Sequence, residues 1–335
     1  MKTALVTGGF GFLGSHLGEL LLQAGYAVHV VDDLSTSPID VEDYLGQLGR
    51  PRELTFDVCT VAAYMSRADL PAYDEVYHLA SPVGPAGVLR HAGNMIRDIV
   101  RDSYSLMDYC RKIGAKLLDV STSEVYGGGQ EGYCPESTPK IVPAKTTVRL
   151  EYAIGKLAAE TAITNTCRVT DLQATIVRPF NISGPRQSPR GGFVLPRFIQ
   201  QAHTGAPLTV FGKGGALRAF THVRDMANGI HLAMRHGKSG EAYNMGNPAN
   251  KTTILGLAQC VIQLLESKSS ITFVDPKTIY GDLYEEASDK FPDAQKAMRE
   301  LTWRPQFDVA HIVADAYQEF LRQEKAGVLR EYVSA

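Results

Sequence analysis

The chain has 335 residues, 44% of them hydrophobic and 21% charged, with a formal net charge of -2, as expected of a globular protein with a substantial core. Neither end carries a basic run and no apolar run reaches the ~20 residues of a membrane span, so composition offers no footprint for nucleic acid or for a membrane. Cys59, Cys110, Cys134, Cys167 and Cys260 form an odd set without a C-x-x-C pair, which argues against a disulfide framework or a metal site and suits a reducing cytoplasm.

In chain order, the opening "MKTALVTGG" meets its glycines too early for the apolar stretch of a signal peptide and reads as a strand ending in a glycine turn. "FLGSHLGELLLQAG" continues with apolar residues at helical spacing until Gly25, and "YAVHVVDD" is a second strand. Between the strands, Gly9, Gly11 and Gly14 spell G-x-G-x-x-G, while Gly8, Gly11 and Gly14 spell G-x-x-G-x-x-G. Glycine is needed there because the chain turns tightly, brings backbone N–H groups against a pyrophosphate and packs a helix close to the sheet. Asp32 ends the second strand 18 residues past Gly14, where a carboxylate accepts both hydroxyls of an adenosine ribose. That carboxylate repels a 2′-phosphate and no arginine follows in "DDLSTS", so NAD is expected rather than NADP. "LTFDV" and "EVYHLAS" are the third and fourth strands, which puts Asp57 and the segment Leu79, Ala80 and Ser81 at strand ends, where a doubly wound sheet binds ligands. Asp57 reads equally well as a turn or helix-cap acid.

"AKLLDV" is a short buried strand, and the "STSEVYG" that follows, Ser121 to Gly127, is on its own a Ser/Thr-rich turn. "RLEYAIGKLAAET" has helix-forming composition and sets Tyr152 and Lys156 four residues apart on one face. An ammonium beside a phenol favours the phenolate, which readies a tyrosine to take a proton from a sugar hydroxyl. In isolation the same spacing is common as a solvated surface pair.

Together, Gly8/Gly11/Gly14, Asp32, "HLAS", Thr122 within "STSEVYG" and Tyr152/Lys156 resemble an extended short-chain dehydrogenase/reductase of the NAD-dependent nucleotide-sugar epimerase/dehydratase group. "RPFNISGPR", "PLTVFGKGGALRAFTHVRDMANGI" and "YNMGNP" extend the resemblance over nearly the whole chain. The resemblance implies that Thr122 bonds the sugar 4-OH, that Tyr152 is the base, and that Lys156 lowers the tyrosine pKa and holds the nicotinamide ribose. It places Asn181 by the sugar and diphosphate, Arg218 on the diphosphate, and the "LTVFG" segment with Val210 near the nucleobase. Phe12, Leu13, Val58 and Pro179 complete the expected cofactor set. Epimerases of the family tend to lack a carboxylate where Glu124 stands, and the string with Ser123 is most similar to the UDP-glucuronate decarboxylase members. Those would act through a 4-keto sugar, with Glu124 and Ser123 orienting the carboxylate or a water. A UDP-glucuronate 4-epimerase, a 4,6-dehydratase and a redox-dead NAD-binding scaffold are the alternatives.

Two departures stand out. Lys290 occupies the place of an arginine in the element that reads the substrate carboxylate or phosphate, and a point charge does not replace a bidentate fork. Ile99 in "RDIVRDSYSLM" stands for an expected asparagine. Arg186, Arg190 and Arg197 are candidates for the missing anion contact, although Arg190 also reads as a solvated loop arginine. The expected architecture is a Rossmann-type doubly wound parallel sheet over residues 1–180, then a smaller α/β nucleotide-sugar-binding region over 181–335, with some segments returning to the sheet. That region is expected to draw on 181–197, 208–218 and 280–293. A homodimer through helices near 93–113 and 149–167 is implied by the resemblance and by their surplus apolar faces.

Overall fold

Five apolar runs become parallel strands: β1 (Thr3–Thr7), β2 (Ala27–Asp32), β3 (Leu54–Val58), β4 (Glu75–His78) and β5 (Lys116–Val120). The computed structural model describes residues 1–127, 132–284 and 289–329. With the strands Ala174–Pro179 and Ala242–Met245 they build a seven-stranded sheet in which β4, β1, β2 and β3 run outward to one edge and β5, Ala174–Pro179 and Ala242–Met245 to the other. Every pairing in it is parallel.

Strand alternation sorts the side chains between two helical layers. Leu5, Val31, Val76, Leu117 and Ile176 pack with Leu106, Met107 and Cys110 of the helix Met95–Ile113 and with Ile163 of the helix Val148–Val169. Val6, Val30, Leu118, Val120 and Val177 face the opposite layer, which holds Leu17 and Leu21 of the helix Phe12–Gln23 and Met226 and Ile230 of the helix Val223–His236. The chain winds outward from β1 through β2 to β3 and returns to β4 on the other side of β1, so the topological switch lies between β1 and β4.

Beyond residue 181 the chain contributes the strand Ala242–Met245 to this sheet, the helix Val223–His236 and Trp303 to the layer that covers it, and a second core of its own. There the helices Val194–Thr204, Ile254–Leu264 and Val309–Ala326 pack around the parallel strands Leu208–Phe211 and Ile271–Val274. A short parallel pair, Gly132–Cys134 with Lys290–Pro292, ties a late segment to the loop that follows β5. That pairing carries Lys290 to the same end of the sheet as "STSEVYG". Of the expected 280–293 segment, residues 285–288 lie outside the described residues.

Candidate active site

The glycine turn sits at the switch point. Gly8 has φ +71°, and a Cβ there would stand 2.8 Å from the backbone nitrogen of Ala80 at the end of β4. A Cβ on Gly14 would lie 2.0 Å from the carbonyl oxygen of Gly8, so only glycine lets the helix Phe12–Gln23 seat against the turn. No side chain caps that helix at Gly11, which leaves the first N–H groups, those of Phe12 and Leu13 included, directed at the turn. Asp32 is buried and held by two backbone donors, Phe10 N–H at 3.0 Å and Leu34 N–H at 2.8 Å. Burial raises its pKa and those two bonds oppose the rise. Two bonds use half of a carboxylate's roughly four acceptor positions, and the rest suit a vicinal diol. Ser81 has a buried hydroxyl without a partner close by the turn. A cradle closed to any Cβ, an uncapped helix end, an acid for the ribose and an orphaned hydroxyl fit NAD.

Asp57 and Val58 end β3 on the same side, but Asp57 is committed to protein partners. Arg67 grips it at 3.0 Å through each terminal nitrogen, and His29 lies 3.1 Å away. The Arg67 hydrogen bonds hold its carboxyl below the usual range.

After β5, Thr122 is the N-cap of a single 3₁₀ turn, Ser123–Tyr126, and its Oγ1 accepts from the Glu124 N–H at 3.2 Å. The turn reading of "STSEVYG" and the functional one therefore meet in one hydroxyl. Accepting from Glu124 leaves the Thr122 proton to donate, and the hydroxyl lies near enough to the Tyr152 phenol to lower its pKa. Burial drives the Tyr152 pKa up, the Thr122 bond lowers it, Glu124 and Asp119 raise it, and Arg149 lowers it. Lys156 is fully buried and donates from Nζ to the carbonyl of Val120 at 2.8 Å. The helix Val148–Val169 thus brings Tyr152 and Lys156 to the end of β5, with burial the largest influence on the phenol's titration.

Glu124 joins two cations. Arg149 Nε lies 2.7 Å from Oε2 and Lys290 Nζ lies 3.1 Å from Oε1. Burial works to raise the Glu124 pKa, but the guanidinium and the ammonium outweigh it and hold the carboxyl well below the usual carboxylate range. Lys290 is likewise pushed down by burial, with Glu124 opposing. Two cations, one a guanidinium and one an ammonium, thus meet at this carboxylate. Ser123 is buried at the start of the same turn. Next to Lys290, Asp289 bonds Arg218 Nη1 at 3.0 Å, which ties the expected diphosphate arginine to the same short strand.

The remaining candidates divide. Pro179 ends its strand beside Met245, and Asn181, at φ +40°, turns the chain at that edge and accepts from the Thr221 N–H at 3.0 Å. Arg197 is buried, stacks 4.1 Å over the Phe211 ring and bonds the Thr209 carbonyl at 3.2 Å, while its Nε and Nη1 have no partner. Val210 is fully buried in the second core, so only its backbone can meet a ligand. Arg186 pairs with Glu19 at 2.6 Å and lies over the Tyr44 ring, on the helix Phe12–Gln23 rather than with the Glu124 cluster. Ile99 packs against Gly155 in the seam between the two helices, and the polar side chain that this helix turns toward Lys156 is Asp102. Arg149 escaped the sequence reading, although three residues before Tyr152 and seven before Lys156 is one helix face.

The switch-point cradle and the tyrosine–lysine helix at one sheet edge define a Rossmann-type nucleotide-binding protein. The chain belongs to the NAD dependent epimerase/dehydratase family, whose model matches residues 4–246. It is 31% identical over 338 residues to UDP-glucuronic acid decarboxylase 1 of Danio rerio, covering 99% of this chain and 76% of that protein. It is 32% identical over 311 residues to UDP-N-acetyl-alpha-D-glucosaminuronate decarboxylase of Bacillus cytotoxicus, covering 91% and 93%. The fold is similar to UDP-glucuronic acid 4-epimerase of Bacillus cereus, crystallised with UDP-glucuronic acid and NAD, with a TM-score of 0.80, 25% identity and 96% and 99% of the two chains covered. The protein is accordingly an NAD-dependent enzyme of the nucleotide-sugar type.

Proposed function

We propose that the protein is a lyase that decarboxylates UDP-glucuronate through a 4-keto sugar, giving UDP-xylose or its 4-keto form. The observation that carries this reading is the Glu124 cluster, which gathers the Arg149 guanidinium and the Lys290 ammonium beside Thr122 and Tyr152, donors that suit a substrate carboxylate. Both similar decarboxylases are named for uronate substrates, which have such a group in common.

NAD, held at Gly8, Gly11, Asp32 and Ser81, supplies a reversible hydride acceptor for C4 of the sugar. Tyr152 takes the proton of the 4-hydroxyl, and Thr122 donates to the same oxygen. In the 4-keto sugar the C5 carboxylate is β to the ketone, so the C5–C6 bond breaks, carbon dioxide leaves and the electron pair passes to the C4 oxygen. Donors from Thr122 and Tyr152 stabilise that enolate. Glu124, held ionised by Arg149 and Lys290, is a poor base, which disfavours the proton abstraction at C5 that a dehydratase needs. Its role is to orient, with Ser123, the carboxylate or the water that reprotonates C5. Residues 1–180 supply the cofactor site and reacting groups, and 181–335 mainly the nucleotide contacts, with Asn181, Arg197 and Arg218 toward the UDP moiety.

Incubation of the purified protein with UDP-glucuronate and no added NAD is expected to give a product lighter by carbon dioxide. An unchanged mass with inversion at C4 would make it a 4-epimerase, the second reading, supported by the fold likeness. No conversion even with NAD added counts against both.

We also infer a homodimer through the helices Met95–Ile113 and Val148–Val169, since Ile96 and Tyr104 on the first remain 39% and 50% exposed. Sedimentation velocity is expected to show a two-chain species, and a monomer at all concentrations would remove the inference. The five free cysteines suit the cytoplasm.

A further inference from the structure

A polar row crosses the middle of the sheet. Thr7 on β1, His78 on β4 and Asp119 on β5 are register neighbours, and none is more than 1% exposed. Strands buried on both faces normally read as continuous apolar runs, so a carboxylate in β5 is out of place. Thr7 and His78 satisfy one another, Oγ1 to Nδ1 at 2.7 Å. Asp119 has no such arrangement, because its Oδ2 is buried without a hydrogen bond among the described residues. An ionised carboxylate there is strongly disfavoured unless a cation compensates it.

Alternation shows which cation that is. Leu117 packs beneath the helices Met95–Ile113 and Val148–Val169, whereas Leu118 and Val120 face the other layer, so Asp119 shares the side of Leu117 and of Lys156. Lys156 is as buried as Asp119, and its ammonium is fixed on the carbonyl of Val120, the very next residue.

We propose that Asp119 is the counter-ion of Lys156, acting through space: set rigidly in a central strand, it keeps charged the lysine that the Val120 carbonyl holds at the foot of the Tyr152 site. This rests on Tyr152 and Lys156 being the reacting pair. The other groups facing Lys156 are already engaged. Glu160, one turn further along the same helix, is gripped by Arg178 at 2.9 and 2.6 Å. Asp102, across on the helix Met95–Ile113, is paired with Arg101 at 2.8 Å. His78 is kept neutral, its pKa lowered to about 3 by burial and by Lys156. Burial raises the Asp119 carboxyl to about 6, with Lys156 opposing and Glu160 adding to the rise. Asp119 is therefore ionised at neutral pH, and its negative charge raises the pKa of both Lys156 and Tyr152.

Asp119→Asn keeps the shape and removes the charge. In the NAD-loaded protein, the Lys156 ammonium, followed by heteronuclear NMR, is expected to titrate at least about one pH unit lower than in the parent, the change that tenfold less stabilisation of the charged form produces. Both limbs of the pH–rate profile with UDP-glucuronate should move to lower pH, with no loss of thermal stability. A purely structural Asp119 would leave the lysine titration in place, and that result overturns the proposal. If Asp119→Asn does not fold, Lys156→Met offers the reciprocal measurement: the Asp119 carboxyl should titrate above its parent value, and an unmoved titration again overturns the proposal. A shifted lysine without turnover of UDP-glucuronate upholds the counter-ion and rejects the substrate reading.

Discussion

Tyr152→Phe is expected to lower turnover of UDP-glucuronate by about 10²–10⁴-fold, the usual contribution of a positioned general base. The phenol lies buried at the end of β5 near Thr122, and phenylalanine fills the same space without a proton acceptor. Copurified NAD and the circular dichroism spectrum should be unchanged, because the cofactor cradle is built from Gly8 in the turn after β1, Gly14 in the helix that follows and Asp32 at the end of β2. Burial holds the Tyr152 pKa above the ordinary phenol value, so the basic form is scarce at neutral pH and the parent's turnover should rise with pH. A variant within about tenfold of the parent would show that another group takes the proton.

The second large effect concerns Lys290. Lys290→Met removes one of the two cations that meet Glu124 among the described residues and leaves Arg149 as the other. Loss of one buried charge-assisted partner costs about 2–5 kcal/mol, so kcat/KM for UDP-glucuronate should fall by about 30-fold or more. Competitive binding of UDP-glucose, which has no carboxylate, should be nearly unaffected, and Lys290→Arg should keep most of the activity. Equal losses with both ligands would mean that the lysine holds the fold rather than reading the carboxylate. The pH dependence has a definite sign. Glu124 stays ionised across the assay range, so it contributes no acid limb. Burial lowers the Lys290 pKa, and as pH rises through it the cluster loses the ammonium's positive charge and uronate affinity falls. Arginine does not deprotonate there, so this basic limb should vanish in Lys290→Arg.

Much of this site was legible because local chemistry demands particular residues at particular spacings. Only glycine fits at Gly8 and Gly14, an acid must end β2, and Tyr152 and Lys156 share a helix face at a separation of four. The Lys290 departure, which weakened the reading of the segment, became the ion pair that completes the Glu124 cluster. Arg149 was within reach of the same helical spacing and was passed over. Asp102 was missed because Ile99 was aligned to a family position by sequence offset, and only helix packing shows which residue turns toward Lys156.

The sequence alone determined the alternating strands and helices of the doubly wound fold and the cofactor turn, since these follow from periodicity and backbone constraint over short stretches of chain, while the tyrosine–lysine pair stood out through the family resemblance rather than through its spacing. Which charges meet was decided by tertiary structure. Asp57 goes to Arg67, Arg186 to Glu19, Asp289 to Arg218 and Lys290 to Glu124. A buried charge takes the partner that the packing of distant elements brings within about 3–4 Å, and sequence spacing carries no record of that approach.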